Sequence, residues 1–174
     1  MNMNFETLTA AIKQIHEQMA ARAGRAINVS LTIRNWLIGC YIAEYELRGA
    51  DRATYGESLL TDLASRLENL GVSACARRQL YQYTRFYRKY PGIVRSPTAQ
   101  LQDLLPESIA ADIGKVRSAT AQFGIEHSDI LQNLSYTHIE QLVAMDDDTK
   151  RAFYEIECMR GNWSVRKVKR AIGC

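Results

Sequence analysis

The chain is expected to fold as an all-α protein, a compact helical domain of six to eight helices that includes a helix-turn-helix-like unit. Three observations lead there. Apolar residues recur at intervals of three and four over most of the chain, which is the period of a helix with one buried stripe. Nothing in residues 1–90 alternates with the period of two that marks a strand. Helix-ending and helix-starting residues fall where the periodic runs stop and resume.

In chain order, Phe5, Leu8, Ile12, Ile15 and Met19 form a first stripe. The segment at about 26–47 is apolar on two sides: Ile27, Leu31, Ile38, Ile42 and Tyr45 on one, Val29, Ile33, Trp36 and Cys40 on the other. A helix apolar on both sides is normally central, with neighbours on each face. Arg34 lies inside it and is expected to pair with Glu44 or Glu57. Gly49 and Asp51 mark a turn. A helix at about 55–70 carries Leu59, Leu63, Leu67 and Leu70 inward, and Gly71 stands where a left-handed residue often closes a helix. Ser73 is the expected N-cap of the next helix, about 74–90, which Pro91-Gly92 ends.

Residues 91–133 hold all three prolines with Gly92, Gly114 and Gly124, and have weak periodicity. They are expected to form a connector with short helices at 101–105 and 106–116. Three units follow: a helical lobe at 1–90, the connector at 91–133, and a C-terminal segment at 134–174 packed on the same domain. In the last of these, Ser135 is placed to cap a helix to about Met145. The run Asp146-Asp147-Asp148 puts carboxylates at the positive end of a helix that ends near Gly161. Ser164 is placed to cap a short final helix with Val165, Val168 and Ile172 inward.

The helix at 74–90 is distinctive in charge. Ala76, Leu80, Tyr83, Phe86, Tyr87 and Tyr90 fall on one side; Arg77, Arg78, Tyr81, Gln82, Arg85, Arg88 and Lys89 fall on the other, with no acidic residue. Most charged faces are merely solvated. Those faces usually mix signs, however, because opposite charges at i, i+4 stabilise a helix and like charges oppose it. Five unpaired cations interleaved with Gln82 and Tyr81 suit phosphate contact with some base contact. A leucine-rich helix, a turn containing Gly71 and a basic helix also follow the order of a helix-turn-helix unit. A second acid-free tract follows Trp163, with Arg166, Lys167, Lys169 and Arg170.

Other chemistry is poorly supported. Cys40, Cys75, Cys158 and Cys174 are widely spaced with only three histidines, so no zinc site or other cofactor is expected. Single cysteines without a leader segment suit a reducing cytoplasm. No apolar run approaches the roughly 20 residues of a membrane span, so no membrane partner is expected. Ser135, Thr137 and His138 fit the first turn of a capped helix better than a nucleophile and its base. The acidic run 146–148 lacks the spaced oxygens of a calcium loop. Trp36 and Trp163 are expected core anchors.

Several segments together resemble the N-terminal domain of the YhcG family. These are Asn28 through Trp36, Ile38, Gly39 and Ile42; Tyr55-Gly56 with Leu59-Leu60 and Leu63; and Leu80 with Phe86-Tyr87 and Tyr90-Pro91. The second half adds Leu134-Ser135-Tyr136-Thr137-His138, Arg151-Ala152-Phe153-Tyr154 and Asn162-Trp163-Ser164-Val165-Arg166. The resemblance implies a helical DNA-binding module that in full-length relatives precedes a nuclease domain of the PD-(D/E)XK class. The present sequence ends at Cys174 and has no Asp followed by Glu-x-Lys on a strand-like segment, so nuclease activity is not expected of it.

The expectation is thus a non-catalytic module that binds duplex DNA through Arg77, Arg78, Gln82, Arg85, Arg88, Lys89, Arg166, Lys167, Lys169 and Arg170. The alternative is a protein-interaction module that recruits or regulates a separate nuclease. A nuclease partner or downstream nuclease domain, and self-association into a homo-oligomer, fit either reading.

Overall fold

A computed structural model describes residues 5–49, 58–93 and 127–173. Among these are seven α-helices and no strand, so the all-α architecture holds. They are α1 (Phe5–Arg48), α2 (Leu59–Asn69), α3 (Arg77–Lys89), α4 (His127–Asn133), α5 (Tyr136–Val143), α6 (Asp148–Arg160) and α7 (Val165–Ile172). The expected helices at 101–105 and 106–116 lie outside the described residues.

The first two apolar stripes belong to one 44-residue helix. No proline or cap residue interrupts the sequence between them, and Gly24 alone costs too little to break a helix. Its second half is buried through Thr32, Asn35, Trp36, Gly39, Cys40, Ile42 and Ala43. Its first half is exposed: every side chain from Phe5 to Ile27 except Ala11 stands in solvent.

The core sits where α1 and α3 meet α4 to α7. Trp36, Phe86, Tyr90, Ile130, Ile139, Leu142 and Val168 all belong to one buried cluster. A smaller cluster under α2 joins Ile42, Cys75, Leu80 and Tyr83, with Leu60, Leu63 and Leu67 packed against it. Gly39 lets α1 and α3 approach closely: a Cβ there would lie 2.9 Å from the Thr84 amide nitrogen and nearer still to the Tyr83 carbonyl. The Trp36 indole donates to the Tyr90 carbonyl at 2.8 Å, a carbonyl released by the end of α3.

Residues far apart in sequence tie these layers together. Asn28 donates to the Leu134 carbonyl at 3.2 Å and its oxygen accepts from the Tyr136 amide at 3.4 Å. This satisfies backbone groups at the start of α5 that have no helical partner. The expected caps Ser135 and Ser164 are in place, and Asp147 accepts from the Thr149 and Lys150 amides. Gly71 has φ +74, as a helix-closing glycine should.

Three local expectations fail. Leu70, expected inward, lies just past the end of α2 and is exposed. Ser73 does not cap α3: Ala74 turns left-handed (φ 56), Cys75 plugs into the core, and Ala76 precedes the helix, its amide donating to the Gln79 side chain at 3.0 Å. Arg34 does not pair with Glu44, and Glu57 lies outside the described residues. Arg34 donates instead to the Ser73 carbonyl at 2.8 Å and to the Asn35 side chain at 3.1 Å. Glu44 is nearly three turns further along α1 and bonds Arg48 at 3.2 Å.

Candidate nucleic-acid interface

The expected inner face of α3 is largely correct. Leu80, Tyr83, Phe86 and Tyr90 are buried, Tyr87 is half-buried, and Thr84 joins them with its hydroxyl on the Leu80 carbonyl. Ala76, at the foot of the helix, is exposed. The outer face departs from expectation, because its cations are not unpaired. Arg85 donates to Asp146 at 3.0 Å, Arg88 to Glu46 at 2.6 Å and Lys89 to Asp148 at 3.0 Å. The missing acids come from α1 and from the acidic run that leads into the first residue of α6 and folds across the end of α3. The Gln82 side-chain oxygen is buried without a hydrogen bond among the described residues. Arg77, Arg78 and Tyr81 on this face are open to solvent and Arg88 is exposed beside its carboxylate partner, while the Arg85 guanidinium lies over the Tyr81 ring at 5.9 Å.

Behind these pairs lies a buried polar network. Asp148 also takes Arg151 at 2.6 Å, and these bonds, to Arg151 first and Lys89 second, hold its carboxyl below the usual range. Arg151 continues to Glu155 at 3.4 Å, and Tyr90 donates its hydroxyl to the same carboxylate. Glu155 is fully enclosed; burial raises its carboxyl above the ordinary value, although Tyr90 and Arg151 pull the other way. The network locks α3 to α6. Its inner members Arg151, Glu155 and Tyr90 are enclosed, whereas Asp148 at its outer end is exposed.

The second basic tract is arranged differently. Val168 is completely buried, so α7 is anchored by one face and Arg166, Lys167, Lys169 and Arg170 project from the rest. None of the four makes an ion pair among the described residues. Arg160, at the end of α6, is exposed in the same way. The Lys167 ammonium rests over the Trp163 ring at 4.0 Å from its centre. That stacking makes Trp163 a half-buried support for the tract.

The turn between α6 and α7 is firmly held. Trp163 donates its amide to the Cys158 carbonyl at 3.1 Å, and its carbonyl meets His138 Nε2 at 2.9 Å. A Cβ at Gly161 would come within 2.5 Å of the Trp163 ring, so the turn closes only around glycine. Asn162 takes a left-handed conformation (φ 43), and the Tyr154 hydroxyl donates to the Ala171 carbonyl at 2.7 Å. His138 also meets the Ser135 hydroxyl through Nδ1 at 2.7 Å. Both ring nitrogens therefore serve the cap and the turn, as the capping expectation had it.

The structure brings the two basic tracts to opposite outcomes. Each packs on α5, but α3 and α7 make no substantial contact with one another. The connection at 70–76 between α2 and α3 is longer than the usual 3–4-residue turn of a helix-turn-helix. Sequence reasoning missed Glu46, Asp146 and Asp148 as partners of the basic helix. The acidic run was visible, but its position opposite α3 was not.

No cluster of His, Cys, Asp or Glu among the described residues could hold a metal ion. Cys40 and Cys158 are buried thiols pushed up to about 12 and about 11, mainly by desolvation. No helix among the described residues is long and apolar enough to cross a membrane.

No solved structure matches the chain. In sequence it is 28% identical over 182 residues to the Escherichia coli (strain K12) protein named "Putative nuclease YhcG". The alignment covers 96% of this chain and 46% of that protein, so the chain spans about half the length of its curated relative. The profile of the DUF1016 N-terminal domain matches residues 11–174. Much of what carried the family resemblance has a structural task here: Asn28, Trp36, Gly39, Ser135 and His138 join one helix to another. The chain belongs to the DUF1016 N-terminal domain family.

Proposed function

We propose that this chain is a non-catalytic module that binds duplex DNA and serves a nuclease, present either as a further domain or as a separate partner. The observation that carries the reading is the cationic face of α7, unpaired among the described residues: Arg166, Lys167, Lys169 and Arg170, extended by Arg160. Cations held outward on a packed helix, with no acid among the described residues paired to them, are available to phosphates. Arg77 and Arg78 at the start of α3 are secondary contacts. Arg85, Arg88 and Lys89 are assigned to the fold, because a phosphate would have to displace a carboxylate already in place. The relation to a protein named as a nuclease supplies the setting.

Fluorescence anisotropy with a labelled duplex tests this. Wild type is expected to bind at low salt and weaken steeply as salt rises, since each phosphate contact releases counterions. Replacing Arg166, Lys169 and Arg170 by Ala is expected to reduce the slope of log affinity against log salt by about 2–3. Replacing Arg85, Arg88 and Lys89 by Ala is expected to lower stability and leave the slope unchanged. Equal binding by the α7 variant and wild type would refute the assignment.

The alternative, a module that recruits or regulates a nuclease by protein contact, is favoured by the exposed apolar stripe of α1. A stoichiometric protein partner together with no affinity for duplex DNA would decide for it.

A further inference from the structure

The first half of α1 is a helical arm without a neighbour among the described residues. Phe5, Leu8, Ile12, Ile15 and Met19 are 81%, 41%, 59%, 60% and 47% exposed. Their spacing alternates between three and four, which is the seam of a two-stranded coiled coil. A solvated helix of this length is marginal alone, and five large apolar side chains on one stripe make solvation costly.

We infer that this stripe is the interface of a homodimer in which two α1 arms pair antiparallel. Charge and register select that occupant and that direction. Continuing the alternation past Met19 puts Arg22 on the seam, with Arg25 just beyond, whereas Glu6 lies at the other end of the arm. A parallel pair would stack Arg22 on Arg22. In the antiparallel pair, Ile12 faces Ile15 of the second copy and Leu8 faces Met19. Phe5 then meets the stem of Arg22, bringing Glu6 toward the basic end of the second arm. The helix dipoles also oppose favourably. Ten seam side chains bury on the order of 1,000 Å² together, which reaches the lower limit for a specific protein interface. The folded bodies begin beyond residue 27 and lie at opposite ends of the pair, clear of the seam.

Sedimentation velocity on the full chain at micromolar concentration is expected to give a dimer. Ile12→Asp with Ile15→Asp is expected to give a monomer whose near-ultraviolet circular dichroism, to which the enclosed Trp36 contributes, matches wild type. Direction is read by mixing two single variants, Leu8→Cys and Met19→Cys, each in a Cys174→Ser background. Oxidation is expected to yield the mixed disulfide-linked dimer in preference to either self-linked one. A monomeric wild type, whether the stripe is covered by residues of the same chain or by another protein, overturns the proposal. So does a double-Asp variant that remains dimeric, or self-linking of Leu8→Cys as the main product. No nucleic acid is used, so this outcome is independent of the α7 assignment.

Discussion

Replacing Gly39 by Ala is expected to destabilise the protein although alanine is the better helix former. Gly39 sits inside α1 where that helix crosses α3, and the atoms facing it are backbone. An added Cβ would need the two helices to part by about 1 Å to reach the 3.0 Å that such atoms normally keep. Nothing flexible can yield: the Tyr83 carbonyl and Thr84 amide are bound into α3, and the Thr84 hydroxyl is tied to the Leu80 carbonyl at 3.0 Å. Separation also loosens the packing of Trp36, Cys40 and Phe86 beside the crossing. Overpacking of this kind costs about 1–3 kcal/mol and the rigid contact places it near the top; the helix-propensity gain returns about 1 kcal/mol. The net loss is about 2 kcal/mol, a fall in Tm of roughly 4–8 °C for a domain of this size. Gly24→Ala is the internal control. It makes the same change in the same helix with nothing within 4 Å, and is expected to be neutral or stabilising. Urea titration followed by tryptophan fluorescence measures both. A Gly39→Ala midpoint at or above that of Gly24→Ala would refute the close-approach argument.

The remaining predictions concern the buried contacts around Tyr90. Glu155→Ala leaves Arg151 enclosed without its inner carboxylate and is expected to cost about 3–5 kcal/mol, read by the same titration. In wild type the folded state holds the Glu155 proton more tightly than the unfolded chain does, so its contribution falls as pH rises from the ordinary carboxylate range through the raised value. Asp148 acts in the opposite sense: its stabilisation is present above the ordinary value and lost as pH falls toward its lowered one. Urea midpoints from acid to neutral pH are therefore expected to pass through a maximum, with Glu155→Gln flattening the neutral side. An unchanged neutral limb in that variant would remove Glu155 from the account. Trp36→Phe removes the shorter of two hydrogen bonds to the Tyr90 carbonyl, leaving only the Ile93 amide at 3.2 Å, and is expected to cost about 1 kcal/mol; a value no larger than about 0.5 kcal/mol, typical of an unremarkable surface substitution, would show that the hydrogen bond contributes little.

The legible parts of the fold were those written in neighbouring residues. Ser135 and Ser164 announced their caps because a cap is satisfied within three residues, and Gly71 announced a left-handed turn. The buried face of α3 followed from apolar residues one turn apart. Ser73 was misread because Ala74 and Cys75 reverse the chain before α3 begins, and burial of Cys75 is a tertiary matter. The candidate site was less legible. Arg85 and Asp146 are 61 residues apart, Arg88 and Glu46 are 42 apart, and no local pattern connects them. An acid-free helix looked unpaired because its acids were carried by other elements.

Residue spacing alone was enough to show that the chain is helical, where most helices end, which face of α3 turns inward and where positive charge is concentrated. These properties depend on backbone hydrogen bonds and side-chain periods spanning about one turn. Which of those charges are paired among the described residues follows from packing in three dimensions. Packing brings Glu46, Asp146 and Asp148 across the basic face of α3, while Val168 and Trp163 hold α7 with its cations outward. Coulombic pairing depends on distance in space, and the fold sets that distance.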